Sequence, residues 1–235
     1  MATILISGAN KGLGFETARQ LVAAGHTVYA AARDAARGRR AADELGARFI
    51  LLDVTDDASV KAAAKTVAAD GGLDVLVNNA GIEPRLDDGG FIPVSEVTAD
   101  LAHRVFDTNV FGHIRMLHSF LPLLERSAAP VVVNVGSGAS LMRDLSNPDN
   151  PAHFYPDVTY PASKAAMNML TVQYAKAYPG MRINAVDPGF TATDLNFHAG
   201  HQTVEEGAEI IVRMAQIGPD GPTGGFYDAR GVIPW

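Results

Sequence analysis

Tyr160 and Lys164 stand four residues apart in Tyr160-Pro161-Ala162-Ser163-Lys164. On a helix that spacing puts both side chains on one face. A lysine ammonium near a phenol favours the phenolate and draws the tyrosine pKa down from about 10 toward working pH. A phenol tuned in this way donates a proton to a carbonyl oxygen as hydride reaches the carbon. The other five tyrosines are followed four residues later by Arg33, Thr159, Tyr178, Arg182 and Gly231, so no second Tyr–Lys pair of this spacing exists.

A second group of residues points to the hydride source. Ser7-Gly8-Ala9-Asn10-Lys11-Gly12-Leu13-Gly14 carries glycines in the spacing G-x-x-x-G-x-G. A turn of this kind bends sharply, admits a pyrophosphate against bare backbone and aims a helix N-terminus at it. The plain alternative is a tight strand–helix turn. Its place after the first strand of an α/β chain favours nucleotide binding, through Ser7, Gly8, Asn10, Lys11, Gly12, Leu13 and Gly14. The second strand ends in Ala32-Arg33-Asp34. A carboxylate at its tip would accept hydrogen bonds from the adenosine ribose hydroxyls and repel a 2′-phosphate. Ala32 and Arg33 stand there instead, and Lys11 is within reach of the same phosphate, so NADP(H) is expected over NAD(H). Asp34 would reverse that expectation if the register were shifted by two.

These residues need a scaffold that brings strand ends together. Short apolar runs predict strands at Thr3–Ser7, Thr27–Ala31, Ala47–Leu52, Val75–Asn78, Val131–Val135 and Arg182–Asp187, with a last one including Gly225–Tyr227. Apolar on both faces, they suit a mostly parallel sheet covered on two sides. Amphipathic stretches predict helices at Leu13–Ala24, Ala35–Leu45, Asp57–Ala69, Leu101–Leu124, Pro161–Tyr178 and from about Val204 to Gln216. The alternation predicts a doubly wound, Rossmann-like α/β fold in a single domain, residues 1–235. Two irregular stretches, the insertion Leu141–Val158 and the lid-like Phe190–Thr203, have the length of binding loops.

Composition removes several classes. There are no cysteines, which excludes disulfides and thiolate chemistry. Acidic residues outnumber basic ones by 26 to 19, for a net charge of −7, so neither a nucleic-acid footprint nor a polybasic membrane patch is expected. Only Met1 to Thr3 precede the first apolar run, and no stretch has membrane-spanning length; a cytoplasmic protein is the expectation. His113, His118, His198 and His201 lack metal-site spacing, so no metal is expected.

Two further motifs, Asn78-Asn79-Ala80-Gly81 and Asp187-Pro188-Gly189, join Tyr160-Pro161-Ala162-Ser163-Lys164 in a set. With the glycine turn they resemble the short-chain dehydrogenase/reductase family, in the right order from Ile4 to about Thr193. The tail Gly221-Pro222-Thr223-Gly224-Gly225-Phe226, ending at Pro234-Trp235, resembles the carbonyl-reductase-like branch. The resemblance implies that Tyr160 is the proton donor and that Lys164 tunes it and binds the nicotinamide ribose. It assigns Ser137 to the substrate oxygen, and Asn109, in Asp107-Thr108-Asn109-Val110-Phe111-Gly112, to a water relay from Lys164 through a deformed helix. It places Asp53 at the adenine amino group, with Val54 beside it, and Asn79, Ala80 and Gly81 along the adenosine ribose. Asn79 has tying neighbouring strands as its alternative role. Pro188 and Gly189 are to turn beneath the nicotinamide, and Thr191 and Thr193 to meet the carboxamide and pyrophosphate. The pattern departs from the family at Gly136, where a serine is often found, and Ser140 competes with Ser137. The 23 residues from Ser137 to Tyr160 exceed the common spacing.

The implied activity is reversible reduction of a ketone or aldehyde with NADPH. The alternative is a noncatalytic NADP(H)-binding sensor on the same fold. Only 42 residues follow Thr193, too few for the substrate domain of a sugar-nucleotide epimerase. The small-molecule pocket is expected to have an apolar wall of Phe190, Leu195, Phe197, Phe154 and Tyr155. The insertion is expected to form its rim, with Leu141, Met142, Phe154 or Tyr155 facing substrate, and to lie against the helix from Pro161. Met167, Met169, Leu170, Val172 and Tyr174 wrap that helix, so a homo-oligomer through 101–124 and 161–178 is the other way to cover it.

Overall fold

The computed structural model describes residues 1–235. Strands β1 (Thr3–Ser7), β2 (Thr27–Ala32), β3 (Arg48–Leu51), β4 (Val75–Asn78), β5 (Val131–Val135), β6 (Arg182–Val186), β7 (Phe226–Asp228) and β8 (Gly231–Ile233) form one sheet. Its order is β3-β2-β1-β4-β5-β6-β7-β8, parallel throughout except that β8 runs antiparallel to β7. Alternate side chains feed two cores, as the two-residue strand period requires. Ile4 and Ile6 pack beneath α1 (Gly12–Ala23), α2 (Ala35–Leu45) and α8 (Val204–Ala215). Leu5 packs beneath α3 (Asp57–Ala69), α5 (Gly112–Leu124) and α7 (Thr159–Ala177). No helix is long and apolar enough to cross a membrane.

The strand order reverses between β1 and β4, which opens a crevice beyond their carboxyl ends. The glycine turn after β1 and Asn79-Ala80-Gly81 after β4 enter that crevice together. Gly8 and Gly12 adopt left-handed backbone, with φ of +66° and +57°. A side chain at Gly14 would begin 2.6 Å from the Gly8 carbonyl oxygen and 2.5 Å from Asn79 Nδ2, so only glycine fits.

A buried polar ladder sets the position of α7. Asn78 Nδ2 donates to Asn134 Oδ1 (2.9 Å), and Asn134 Nδ2 donates to Thr171 Oγ1 (2.9 Å). It joins β4, β5 and α7 through groups that would be costly to bury unpaired.

The elements depart from expectation in four places. The helix expected over 101–124 is α4 (Ala99–Phe106), a π turn at Asp107–Phe111, and α5. Asn109 lies in that turn and clamps a neighbouring backbone, which accommodates the extra residue. The insertion holds a one-turn helix α6 (Met142–Leu145) and a 3-10 turn at Pro151–Phe154, both too short to leave a periodic signal. The last expected strand shifts by one residue, to Phe226–Asp228. Strand β8 was not expected; Asp228 Oδ1 makes the turn to it by accepting from the N–H groups of Arg230 and Gly231.

The insertion meets α7 where Leu141 packs on Met167, just after the preceding Ser140 accepts through Oγ from Asn168 Nδ2 (2.7 Å). It covers only part of that helix: Met169 remains 58% exposed.

Candidate active site

Tyr160 and Lys164 lie on the first turns of α7, buried in the sheet crevice. Asp157 starts the helix by accepting from the N–H groups of Thr159 (2.6 Å) and Tyr160 (3.1 Å). Lys164, 3% exposed, donates through Nζ to the Val135 carbonyl (2.8 Å) and sits 5.6 Å from the Tyr160 ring centroid. Burial lowers its pKa from 10.5 to about 8.

The Tyr160 phenol departs from the expected direction. Burial raises its pKa well above the ordinary tyrosine value, the Glu83 carboxylate raises it further, and a hydrogen bond with Ser137 works the other way. The ammonium of Lys164 faces Val135, so desolvation outweighs the expected lowering. The phenol therefore stands protonated at neutral pH, the form a proton donor needs.

Ser137 follows β5, and its hydroxyl accepts from the Ala139 N–H (3.2 Å) on the side of Tyr160. Ser140, its competitor, is committed elsewhere. Its hydroxyl donates to the Ser137 carbonyl (2.6 Å) and accepts from Asn168. Asn109 is fully buried: Oδ1 accepts from Ile82 N–H (2.8 Å), and Nδ2 donates to the Ile82 carbonyl (2.9 Å) and Ser163 Oγ (3.0 Å). Its amide thus fastens the chain leaving Gly81 to α7. A side chain at Gly81 would begin 3.5 Å from Lys164 Nζ and 3.4 Å from Asn109 Oδ1. Asn79 Nδ2 donates to the carbonyls of Ser7 (2.8 Å) and Gly8 (3.2 Å), which makes it a tie between β1 and β4.

One cavity of about 870 Å³ joins these residues to the glycine turn. Lys11, the N-cap of α1, gives that helix no side-chain cap, whereas Asp34, Asp56, Thr98 and Thr203 cap α2, α3, α4 and α8. The open N-terminus of α1 beside the glycine turn suits a pyrophosphate. Asp34 Oδ1 accepts from Arg37 N–H (2.9 Å), and Oδ2 pairs with Arg37 Nε (3.1 Å). That occupies the carboxylate and leaves Arg33 exposed on the cavity. Lys11 differs from expectation: Nζ bonds Asp194 Oδ2 (2.7 Å), on the lid-like loop. The loop runs back over the turn there, and Thr193 Cγ2 lies 3.7 Å from where a Gly12 side chain would begin. Asp53 Oδ1 is held by Thr55 N–H (2.9 Å) and Oγ1 (2.8 Å) at the other end of the cavity, beside Val54. Thr191 Oγ1 accepts from Gln202 Nε2 (2.9 Å) under the Pro188-Gly189 turn.

The insertion reaches the cavity through other residues than most of those expected. Tyr155 lines it, together with Leu145 and Ala152. Leu141 is buried against Met167, Ala185 and Phe226, while Met142 and Phe154 point to solvent. Each follows from the turns of α6 and the 3-10 segment, which rotate neighbouring residues to opposite sides. Sequence reasoning missed the segment after Gly81 altogether. Ile82, Glu83, Arg85 and Leu86 line the cavity. A charged pair two residues apart in an irregular segment carries no periodic signal; its proximity to the glycine-asparagine motif was the only available hint.

Residues 2–203 match the family model for short chain dehydrogenases. The chain is 33% identical to short-chain dehydrogenase/reductase 1 of Saponaria officinalis, over 98% of this chain and 95% of that one. Its fold is similar to salutaridine reductase from Papaver somniferum, with a TM-score of 0.85, 28% identity, and coverage of 97% of this chain and 99% of that one. It is likewise similar to the NADPH-bound carbonyl reductase from chicken fatty liver, with a TM-score of 0.84, 28% identity, and coverage of 100% and 99%.

Proposed function

The chain belongs to the short chain dehydrogenase family, and from that premise we propose that it reduces a ketone or aldehyde to an alcohol with NADPH, reversibly. The observation that carries this reading is the meeting of Ser137, Tyr160 and Lys164 in a cavity that continues to the uncapped end of α1. The two similar structures are both of reductases, one of them NADPH-bound.

The nicotinamide cofactor, when bound, supplies the hydride. Gly8, Gly12 and the first turn of α1 would hold its pyrophosphate, and Arg33 its 2′-phosphate. Asp53, Asn79, Ala80 and Gly81 would hold the adenosine half, and Pro188, Gly189, Thr191 and Thr193 the nicotinamide half. Lys164, which here donates to the Val135 carbonyl, would bind the nicotinamide ribose hydroxyls. Ser137 donates to the substrate oxygen and holds it beside Tyr160 as negative charge develops. Tyr160 then transfers its phenolic proton to that oxygen. Asn109 keeps the π turn open for proton return to Lys164.

Four outcomes test this. A panel of ketones and aldehydes should be turned over with NADPH and far more slowly with NADH. Arg33 is the cation left unpaired at the adenosine ribose, so Arg33→Ser should cost about tenfold or more in NADPH affinity at moderate salt, with NADH affinity little changed. Equal affinity of the parent chain for both cofactors would remove the charge argument. Ser137→Ala should lower kcat about a hundredfold. Ser140→Ala should lower thermal stability more than kcat, because Ser140 bonds Asn168 and the Ser137 backbone.

A further inference from the structure

The wall of the cavity contributed by the segment after Gly81 holds a built polar group that the reduction step does not use. Glu83 and Arg85 form an ion pair at 2.8 Å, with side chains only 4% and 10% exposed. Arg85 is locked in place: its guanidinium lies 3.5 Å from the Phe91 ring centroid, and Nη1 donates to the Gly89 carbonyl (3.4 Å). Tyr155, from the insertion, donates its phenolic hydrogen to the same carboxylate and sets its ring edge-on to Phe91 at 5.2 Å. Both hydrogen bonds fall on Oε1 of Glu83. Oε2 receives none, and Glu83 lines the cavity.

Apolar residues of the same two segments, Ile82, Leu86, Leu145 and Ala152, line the cavity together with Glu83. A fixed acceptor in such a wall orients a ligand by its one complementary donor. The charge of Glu83 is already balanced by Arg85. A neutral hydroxyl therefore suits Oε2 better than an ammonium, which would give up its hydration against a compensated pair. Resting on the reductase reading above, we propose that Glu83 is a specificity-determining residue whose Oε2 accepts a hydrogen bond from a hydroxyl on the carbonyl substrate, away from the carbon that is reduced. The substrate class is then a hydroxylated ketone or aldehyde with an apolar body. Tyr155 and Arg85 are positioning residues that hold the carboxylate.

The test compares the full chain on matched ketones: hydroxycyclohexanones against methylcyclohexanones, and hydroxyacetophenones against methylacetophenones, with ring positions paired. Binding to the complex with oxidised cofactor and kcat/KM with NADPH are both measured. The hydroxylated member of at least one pair should be favoured about tenfold, the worth of one hydrogen bond to a charged acceptor. Glu83→Gln should reduce that ratio severalfold, and so should Glu83→Gln/Arg85→Met, which avoids a lone buried cation. Tyr155→Phe, which loosens the carboxylate but leaves its Arg85 pair, should lower the ratio less than Glu83→Gln does. Hydroxyl-selective, Glu83-dependent binding without turnover would support this assignment and overturn the reductase reading. Turnover with no preference in any pair, or a preference that survives in the double variant, would overturn the assignment and leave the reductase reading standing. Loss of NADPH affinity in Glu83→Gln equal to the loss for the hydroxylated ketones would also overturn it.

Discussion

Tyr160→Phe should bind NADPH as the parent does and lose about a thousandfold in kcat for carbonyl reduction. The ring is buried, so phenylalanine fills the same space and the backbone of α7 keeps its Asp157 cap. Only the proton donor is removed. Tyr174 and Tyr178 lie at the far end of the helix and cannot replace it. Tyr155 is tied to Glu83 and is itself held protonated, chiefly by burial and then by the Glu83 charge. A variant reducing carbonyls at near the parent rate, measured by NADPH absorbance at saturating substrate, would show that Tyr160 is not the acid. The raised pKa of Tyr160 adds a second expectation: its ionisation should leave no downward limb in the reduction rate between neutral pH and pH 10.

Lys164→Met should separate activity from stability. Burial lowers the lysine pKa to about 8 in the folded chain, against 10.5 for an unburied side chain. Between those values the unfolded chain binds more protons, so stability rises with pH across that window. Below about pH 8 the buried ammonium opposes folding by roughly 3 kcal/mol. Methionine fills similar space without the charge and forfeits the hydrogen bond to Val135, worth about 1 kcal/mol. The net gain of about 2 kcal/mol should raise the Tm of the cofactor-free chain at neutral pH by roughly 4–8 °C. The same change should lower kcat about a hundredfold and weaken NADPH binding, because the ribose loses its cation. A Tm unchanged or lowered at pH 7, by calorimetry without cofactor, would show that the lysine is not under desolvation strain.

The features legible in the residues were those whose cause is local. Ser7 to Gly14 must turn sharply, whatever surrounds them. Tyr160 and Lys164 share a helix face because of the helical repeat, and apolar runs such as Val131–Val135 read as strands buried on two sides. The order of these pieces was enough to imply the doubly wound sheet and the crevice at its switch point. The end of β2 was legible only in part: the absence of a carboxylate at Ala32 and Arg33 could be read directly, but the place of Asp34 as the cap of α2 required its geometry.

What the sequence by itself determined about this protein is therefore its family, its sheet and the spacing that sets Tyr160 and Lys164 on one helix face, since each is written within a few neighbouring positions. The tertiary structure alone decided which partners those residues meet. Lys11 pairs with Asp194, 183 positions away, and Tyr155 reaches Glu83 across 72. The Tyr160 phenol is held protonated by burial and by a carboxylate from another loop, against the effect expected of the lysine one turn along. Hydrogen bonds and desolvation act through space over a few ångströms, so their effects follow from how separate segments pack, which no spacing along the chain encodes.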